Sequence, residues 1–518
     1  MQSFRLWRHL ALAGRPLAGP APRALTAGRA PGPVQSWLPG EFAPRDYVTY
    51  LLSVDAEIEH CLMVQYLYAG YSLGGPQVPP QFHDAVRRWQ EAILGIAKEE
   101  MGHLITVQNV LRLIGAPLHF ERNDYPWDTP FYPFPFMLEP LTLDSLAKYV
   151  YTEAPRDWTG GALGDEIRAR VHAQTPNPHQ VAELFDTLIP LVEDPDYLAD
   201  AVFQADTYPC QADFAEWGRG YRGGKRGNSG HASLNGTPDV LVKPATSRDD
   251  AVNALKAIAK QGEATHGTHP SHFVRFLQIY VEMRAALEGK LCSGPDWHDA
   301  RPDDFLEEAW REAYPAAAAT LHAGAAVLAT SHGTWRPARP VAVNPYVSLD
   351  TDLEPEQGGM PVTAITEPVT ALWAALSNLR YRMLLQYLIH SFTLYGGLNT
   401  AGTVTPRGAI VNAAFGEMYN LRALSEILMR TRVSDALDAP FAGPPFQVPY
   451  TLASPFGEAN RWRAHLDLLD ASERLVEVLL ARSDTLHHPY LLSLREADRN
   501  TVALAKRILS GNVDTALL

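Results

Sequence analysis

One stretch limits what this chain can become more than any other. From Gln81 to Ile114 apolar residues recur at helical spacing, and inside that run stands Glu99-Glu100-Met101-Gly102-His103. On a helix, Glu100 and His103 sit one turn apart on one face, and Trp89, Ile93, Ile96, Val107 and Val110 share their stripe. A carboxylate and an imidazole therefore face a core. Burying them costs free energy unless something pairs with them, and a metal ion shared with neighbouring helices meets that need. Glu-x-x-His at helical spacing also arises by chance, so the reading depends on what the other helices bring.

The preceding segment, from Pro44, brings a second carboxylate. Leu52, Ala56, Glu59, Met63, Tyr66 and Gly70 fall on one helical stripe, which places Glu59 on an otherwise apolar face. Glu57 and His60, on neighbouring faces, are the competing candidates. Gly74-Gly75-Pro76 stops this helix, and Gly115-Ala116-Pro117 stops the next. Asp124 to Pro140 is too rich in proline for helix or central strand and carries Tyr125, Trp127, Phe131, Tyr132, Phe134 and Phe136. It reads as a rigid loop over a bundle, either capping the core or walling an apolar pocket.

Helical patterns resume at Leu143–Tyr151 and Pro178–Leu191. The Gly-rich basic stretch Gly218–Gly236 fails as a phosphate loop, because Arg219 and Arg226 stand where glycine and Ser/Thr are needed. It reads as a flexible surface loop. Ser247 and Asp250 have capping-box spacing at the start of a third helix that runs to Glu263. A fourth begins at His272 and carries Phe273, Phe276, Leu277, Ile279, Tyr280 and Met283. In an antiparallel hairpin those two ends are neighbours, so Glu263 and His272 can join Glu59, Glu100 and His103. Four helices sharing carboxylates and imidazoles is the arrangement in which bundle proteins hold iron or manganese. Oxygen and nitrogen donors without thiolate suit iron, with manganese or zinc as lesser alternatives, and both one-ion and two-ion sites can be drawn. The count is three glutamates and two histidines, one carboxylate short of a symmetric two-iron set.

Composition excludes other classes. The 518 residues exceed one small core, and a net charge of −14 argues against a nucleic-acid partner. Cys61, Cys210 and Cys292 are far apart and in no Cys-x-x-Cys pair, which excludes a disulfide framework and a thiolate zinc site. No apolar run is long enough for a membrane span. The first forty residues hold Arg5, Arg8, Arg15, Arg23 and Arg29 and no acidic residue before Glu41, with Phe4, Trp7, Leu10 and Leu12 on a short amphipathic pattern. They are similar to a mitochondrial transit peptide; the alternative is a disordered tail on a cytoplasmic protein.

The segments AEIEHCLMVQYLYAGYSL, AILGIAKEEMGHLITVQNVLRLIGAPLHF and AIAKQGEATHGTHPSHFVRF resemble the ferritin-like domain of the iminophenyl-pyruvate dimer synthase family. The likeness covers about residues 46 to 285, roughly half of the chain. It implies a ferritin-like bundle and a metal site, carried onto Glu59, Glu100, His103, Glu263 and His272. In that family the chemistry is oxidative coupling of two imines derived from aromatic amino acids.

The expectation is thus an all-α chain with a ferritin-like four-helix bundle, long insertions and a second helical bundle. Its parts are a tail (1–43), the metal-binding bundle (44–290), a helical and Pro-rich connector (291–368) with an Ala-rich stretch at Ala316–Ala329, and the second bundle (369–518). The last contains helical patterns at Val369–Leu394, Ile410–Met429, Ala459–Leu480 and Leu491–Leu509, and its polar residues Gln386, His390, Glu417 and His465 lack metal-ligand spacing. The functional expectation is a metal-dependent, iron-using oxidase or oxygenase acting with dioxygen on a small apolar or aromatic substrate. The alternatives are a non-catalytic iron-binding protein and a scaffold of buried ion pairs.

Overall fold

The computed structural model describes residues 42–128, 132–175, 177–217, 241–263, 271–288, 335–347, 360–395, 405–448 and 452–511. The Arg-rich tail before residue 42, the Gly-rich stretch 218–236, the Ala-rich stretch 316–329 and Cys292 lie outside them. Among the described residues the chain is helical, with one short parallel pairing of β1 (Pro345–Tyr346) and β2 (Thr363–Ala364). No described helix is long and apolar enough to cross a membrane.

The first half is built on a hairpin of two long helices, α1 (Pro44–Ser72) and α2 (His83–Leu113), which pack along one another. Proline opens α1, where its missing N–H costs nothing. Around the hairpin lie α3 (Leu143–Glu153), α4 (Gly161–Gln174), α5 (Ala182–Glu193), the one-turn α6 (Phe214–Trp217), α7 (Arg248–Glu263) and α8 (His272–Leu287). Helix α3 packs on α8, and α5 packs on α7, while α7 and α8 both touch α2. That closes a bundle around one end of the α1–α2 pair.

Local chemistry sets the ends. Thr142 and Ser145 form a reciprocal capping box on α3, and Ser271 caps α8 by accepting from the Val274 amide at 3.3 Å. At α7, Ser247 accepts from the Asp250 amide, and the Asp250 carboxylate accepts from Thr246 as well as from Ser247. Helix α4 has no counterpart in the sequence reading. It starts from a left-handed glycine, Gly160 at φ +63°, and buries only Gly164, Ile167 and Val171, too narrow a stripe to show as a period.

Apart from Phe131, which lies outside the described residues, the aromatic rings of the Pro-rich segment cover the core. Trp127 and Phe136 exchange backbone hydrogen bonds of 3.0 and 2.8 Å, Tyr132 stacks on Phe136 at 4.2 Å, and Tyr125 donates to the Cys61 carbonyl at 2.8 Å. At 100° per residue, Cys61 and Gln65 lie on the side of α1 opposite Glu59, and Gln65 receives the Met137 amide at 3.1 Å.

In the second half α9 (Pro368–Ser391), α10 (Pro406–Leu428), α11 (Glu458–Arg482) and α12 (His488–Leu509) pack together. Their interior holds a buried Arg380 that donates to Glu417, Asp498 and Ser472. The two halves share one apolar core: Tyr381, Leu384, Leu388, Phe392, Ile410 and Phe446 are continuous with the residues of α1 and α2. Polar ties cross the same boundary, including Tyr68 to the Ala342 and Ala442 carbonyls and Arg407 to Glu216. Cys61 and Cys210 are free and buried.

Candidate metal centre

Helix α1 is buried nearly all round, so its polar residues must find partners on every side. The 100° step puts Asp55, Glu59, Leu62 and Tyr66 on one stripe and Glu57, His60, Cys61 and Tyr68 on the other side. The structure uses the two sides differently. Glu57 accepts from the Tyr132 hydroxyl at 2.6 Å, and His60 pairs with the Tyr381 hydroxyl of the second half. Glu59 faces α2, where its Oε2 lies 3.2 Å from His103 Nδ1. Of the three competitors on α1, Glu59 is therefore the one beside His103.

Glu100 and His103 stand as the Glu-x-x-His spacing predicts, with Glu100 Oε2 at 3.0 Å from His103 Nδ1. His272, the first residue of α8, points its Nδ1 at Glu100 Oε1, 2.8 Å away, and its ring stacks on His103 with centroids 5.2 Å apart. Ligand atoms of Glu100, His103 and His272 all lie within 4.8 Å of one another. Glu263 ends α7, but its side chain lies outside the described residues.

Two carboxylates escaped the sequence reading. Glu153, the last residue of α3, holds Oε2 at 3.8 Å from His272 Nδ1, while its Oε1 accepts from the Tyr66 hydroxyl at 2.6 Å. The signal was there: Leu146, Tyr149, Val150 and Glu153 share one helical stripe, but a helix read as stopping at Tyr151 leaves Glu153 out. Asp55 lies one turn before Glu59 on the same stripe, fully buried, with both oxygens lacking a hydrogen-bond partner.

An outer layer orients the imidazoles. His103 Nε2 meets Gln261 Oε1 at 3.0 Å, and His272 Nε2 meets Glu99 Oε2 at 2.9 Å. Gln261 in turn donates to Glu99 at 3.1 Å, and Arg275 grips the same carboxylate. Both rings thus commit Nε2–H outward and turn Nδ1 inward. This is the way metal-bound histidines are usually held.

Electrostatics points the same way. Burial pushes Asp55 up to about 8 and Glu59 well above the carboxylate range, with Glu100 adding to the latter. Burial works against charge on Glu100 as well, yet His272 and hydrogen bonds outweigh it and hold that carboxyl well down. For Glu99 burial is overcome by Arg275 and His272, which bring it to about 2. His103 is raised to about 10 because Glu59 and Glu100 outweigh its burial, and His272 is raised by Glu100 in the same way. The interior has more carboxylate than fixed positive charge, and protons make up the difference. A divalent cation displaces such protons when it binds.

The residues fit a metal. Glu100 Oε1 and His272 Nδ1 are 2.8 Å apart, yet neither meets hydrogen-bond geometry with anything. Ligands about 2.1 Å from one ion stand roughly 3 Å apart when adjacent, and Glu100 oxygens stand 3.0 Å from His103 Nδ1 and 2.8 Å from His272 Nδ1. Next to Glu59, Glu100, His103 and Glu153 is a cavity of about 10 Å³ walled by Leu62, Val181, Phe185 and Ile258. It holds one water-sized molecule.

This fold and cluster define a ferritin-like helical bundle with a carboxylate–imidazole centre. Residues 52–281 match the family model described as Ferritin-like, so the chain carries a ferritin-like domain. Over 416 residues the chain is 26% identical to a dichlorochromopyrrolate synthase from Lentzea aerocolonigenes, a match covering 76% of this chain and 35% of that one. The chain thus spans about a third of the length of the curated relative it matches. Together these bear out the resemblance read from the sequence. A crystal structure of a ferritin-like protein from Caulobacter vibrioides aligns at 14% identity with a TM-score of 0.37, covering 74% of this chain and 97% of that one.

Proposed function

We propose that this protein is an iron-dependent oxidase or oxygenase of the ferritin-like class that acts on a small apolar or aromatic metabolite. The observation that carries this reading is the inward pair of histidine Nδ1 atoms beside Glu59, Glu100 and Glu153, with both Nε2 atoms tied to the Glu99–Gln261–Arg275 layer. Glu59, Glu100, His103, Glu153, Glu263 and His272 would hold the metal. Bound iron would supply open positions for dioxygen and one-electron chemistry that carboxylates and imidazoles cannot perform alone. The chain's own part is to fix the two rings, to keep Glu100 ionised and to exclude bulk water by the apolar wall of the adjoining cavity. The likeness to a dichlorochromopyrrolate synthase supports a substrate with aromatic character. The acid-free, Arg-rich first forty residues support a mitochondrial location.

The test is anaerobic loading of the full chain with Fe(II), followed by oxygen uptake with and without aromatic amino-acid-derived imines. Uptake that depends on both iron and an aromatic substrate is the expected result. One observation favours a second reading, a non-catalytic iron-binding protein: the cavity of about 10 Å³ admits no aromatic ring. Iron bound tightly with no substrate-dependent uptake would decide for it.

A further inference from the structure

About 20 Å along α1 from Glu59, at the C-terminal end of the helix, a separate cleft of about 320 Å³ opens between the α1–α2 turn and the end of α10. Its charge runs against that of the whole chain. Arg87, Arg339, Arg422 and Arg430 line it with one carboxylate, Glu426, in a protein whose net charge is −14. Glu426 lies 3.6 Å from Arg422 and 3.8 Å from Arg430, longer than the ~2.7–2.9 Å of a charge-assisted hydrogen bond. Arg87 is engaged with Asp84 at 2.8 Å. Arg339 has no carboxylate within ion-pair distance among the described residues; it is half-buried and pinned by Nη1 to the Tyr71 and Leu73 carbonyls.

Burial and the nearby Arg430 lower the pKa of Arg339, with Glu426 only partly offsetting them, so positive charge there is under-compensated. Two left-handed glycines run beside it. A Cβ on Gly74 would sit 3.5 Å from Arg339 Nη2, and one on Gly75 would sit 3.0 Å from Arg339 Cγ. Val78, Val86, Leu94 and Met429 give the wall an apolar part, beside the polar side chains of His83 and Gln90.

A planar guanidinium fork matches a carboxylate, an apolar wall matches a hydrocarbon body, and the volume suits a ligand of about one ring. We propose that this cleft binds a small organic carboxylate, with its charged end on Arg339 and Arg430 and its apolar body against Val78, Val86, Leu94 and Met429. The site is independent of the metal centre and of whatever reaction occurs there.

Isothermal titration of the full chain with benzoate, benzamide and inorganic phosphate tests it. Benzoate should bind at one equivalent per chain, with benzamide and phosphate each at least about tenfold weaker. Arg339→Gln removes contacts that also hold the α1 end, so Arg430→Gln, at an exposed position, serves as the second variant; each should weaken benzoate about tenfold or more. No saturable benzoate binding, binding unchanged in Arg430→Gln, or phosphate binding as tightly as benzoate would each overturn the proposal.

Discussion

His272 Nδ1 and Glu100 Oε1 form a buried ion pair 2.8 Å apart in which neither atom meets hydrogen-bond geometry. One residue opens α8 and the other sits in the middle of α2, so the approach is made by tertiary packing alone. If a shared ion is what holds them, His272→Ala and Glu100→Ala should each abolish stoichiometric Fe(II) retention after anaerobic loading and desalting, as read by elemental analysis. Retention at the wild-type level in both variants would leave the cluster a set of buried ion pairs.

Glu99 gives a graded version of that test. It touches His272 through Nε2 and not through the inward Nδ1, and Arg275 holds it ionised. Glu99→Gln keeps the shape and removes the charge, so Fe(II) affinity should fall by about 10–100-fold without being lost. A competition titration against a chelator of known affinity measures it. A loss as complete as that of Glu100→Ala would make Glu99 a ligand.

Glu153 bears on how many ions bind. Together with Glu59, Glu100 and Glu263 it brings the carboxylates to four beside two histidines, the composition of two-ion bundle sites. Two irons per chain are expected in the wild type and one in Glu153→Ala. Tyr66→Phe removes only the 2.6 Å hydrogen bond to Glu153 and should keep both. One iron in the wild type and in Glu153→Ala alike would assign Glu153 to the protein framework.

Much of this centre was legible because helical period alone puts Glu59, Glu100 and His103 on buried stripes, and the hairpin argument brings His272 to them. What was not legible depended on tertiary placement. Glu153 reaches the site because α3 packs on α8, and Gln261 because α7 packs on α2. The boundaries of α9 to α12 followed the apolar pattern closely. Their partners did not: no local signal in Tyr381 or Arg407 says that one will meet His60 and the other Glu216.

The joint between the halves should be sensitive at Gly443. Its φ is +79°, and an added Cβ would stand 2.3 Å from the Tyr68 hydroxyl, which itself donates to the Ala342 carbonyl. Gly443→Ala combines a left-handed penalty of about 1–2 kcal/mol with displacement of a buried ring, so a loss of roughly 2 kcal/mol or more is expected in urea unfolding. In a Tyr68→Leu background the loss should shrink, since the hydroxyl and the two ring carbons that would stand 2.7 Å from the added Cβ are all gone. Equal losses in both backgrounds would place the whole cost in the backbone.

A buried histidine pair sets a pH dependence in the second half. Glu458 accepts from His390 Nε2 at 2.9 Å and from the Trp462 indole at 2.6 Å. His390 Nε2 therefore carries a proton, and His390 Nδ1 shares a hydrogen bond with His465 Nε2 at 2.8 Å. His465 Nδ1 is buried and without a partner, against the Tyr387 ring. Protonation there would bury a charge and an unmet donor. Burial, with His390 adding to it and Glu458 opposing, pulls His465 down to about 3. An unfolded histidine titrates near ~6.5, so the unfolded chain takes up this proton first as pH falls. Stability from this group is complete above that value and declines toward pH 3, at about 1.4 kcal/mol per unit. Between about pH 6.5 and about pH 5 the loss is roughly 2 kcal/mol. His465→Gln retains a donor for His390 and removes the titration. Urea midpoints at about pH 7 and about pH 5 should therefore differ less in that variant than in the wild type; equal differences would show that His465 takes up its proton without unfolding.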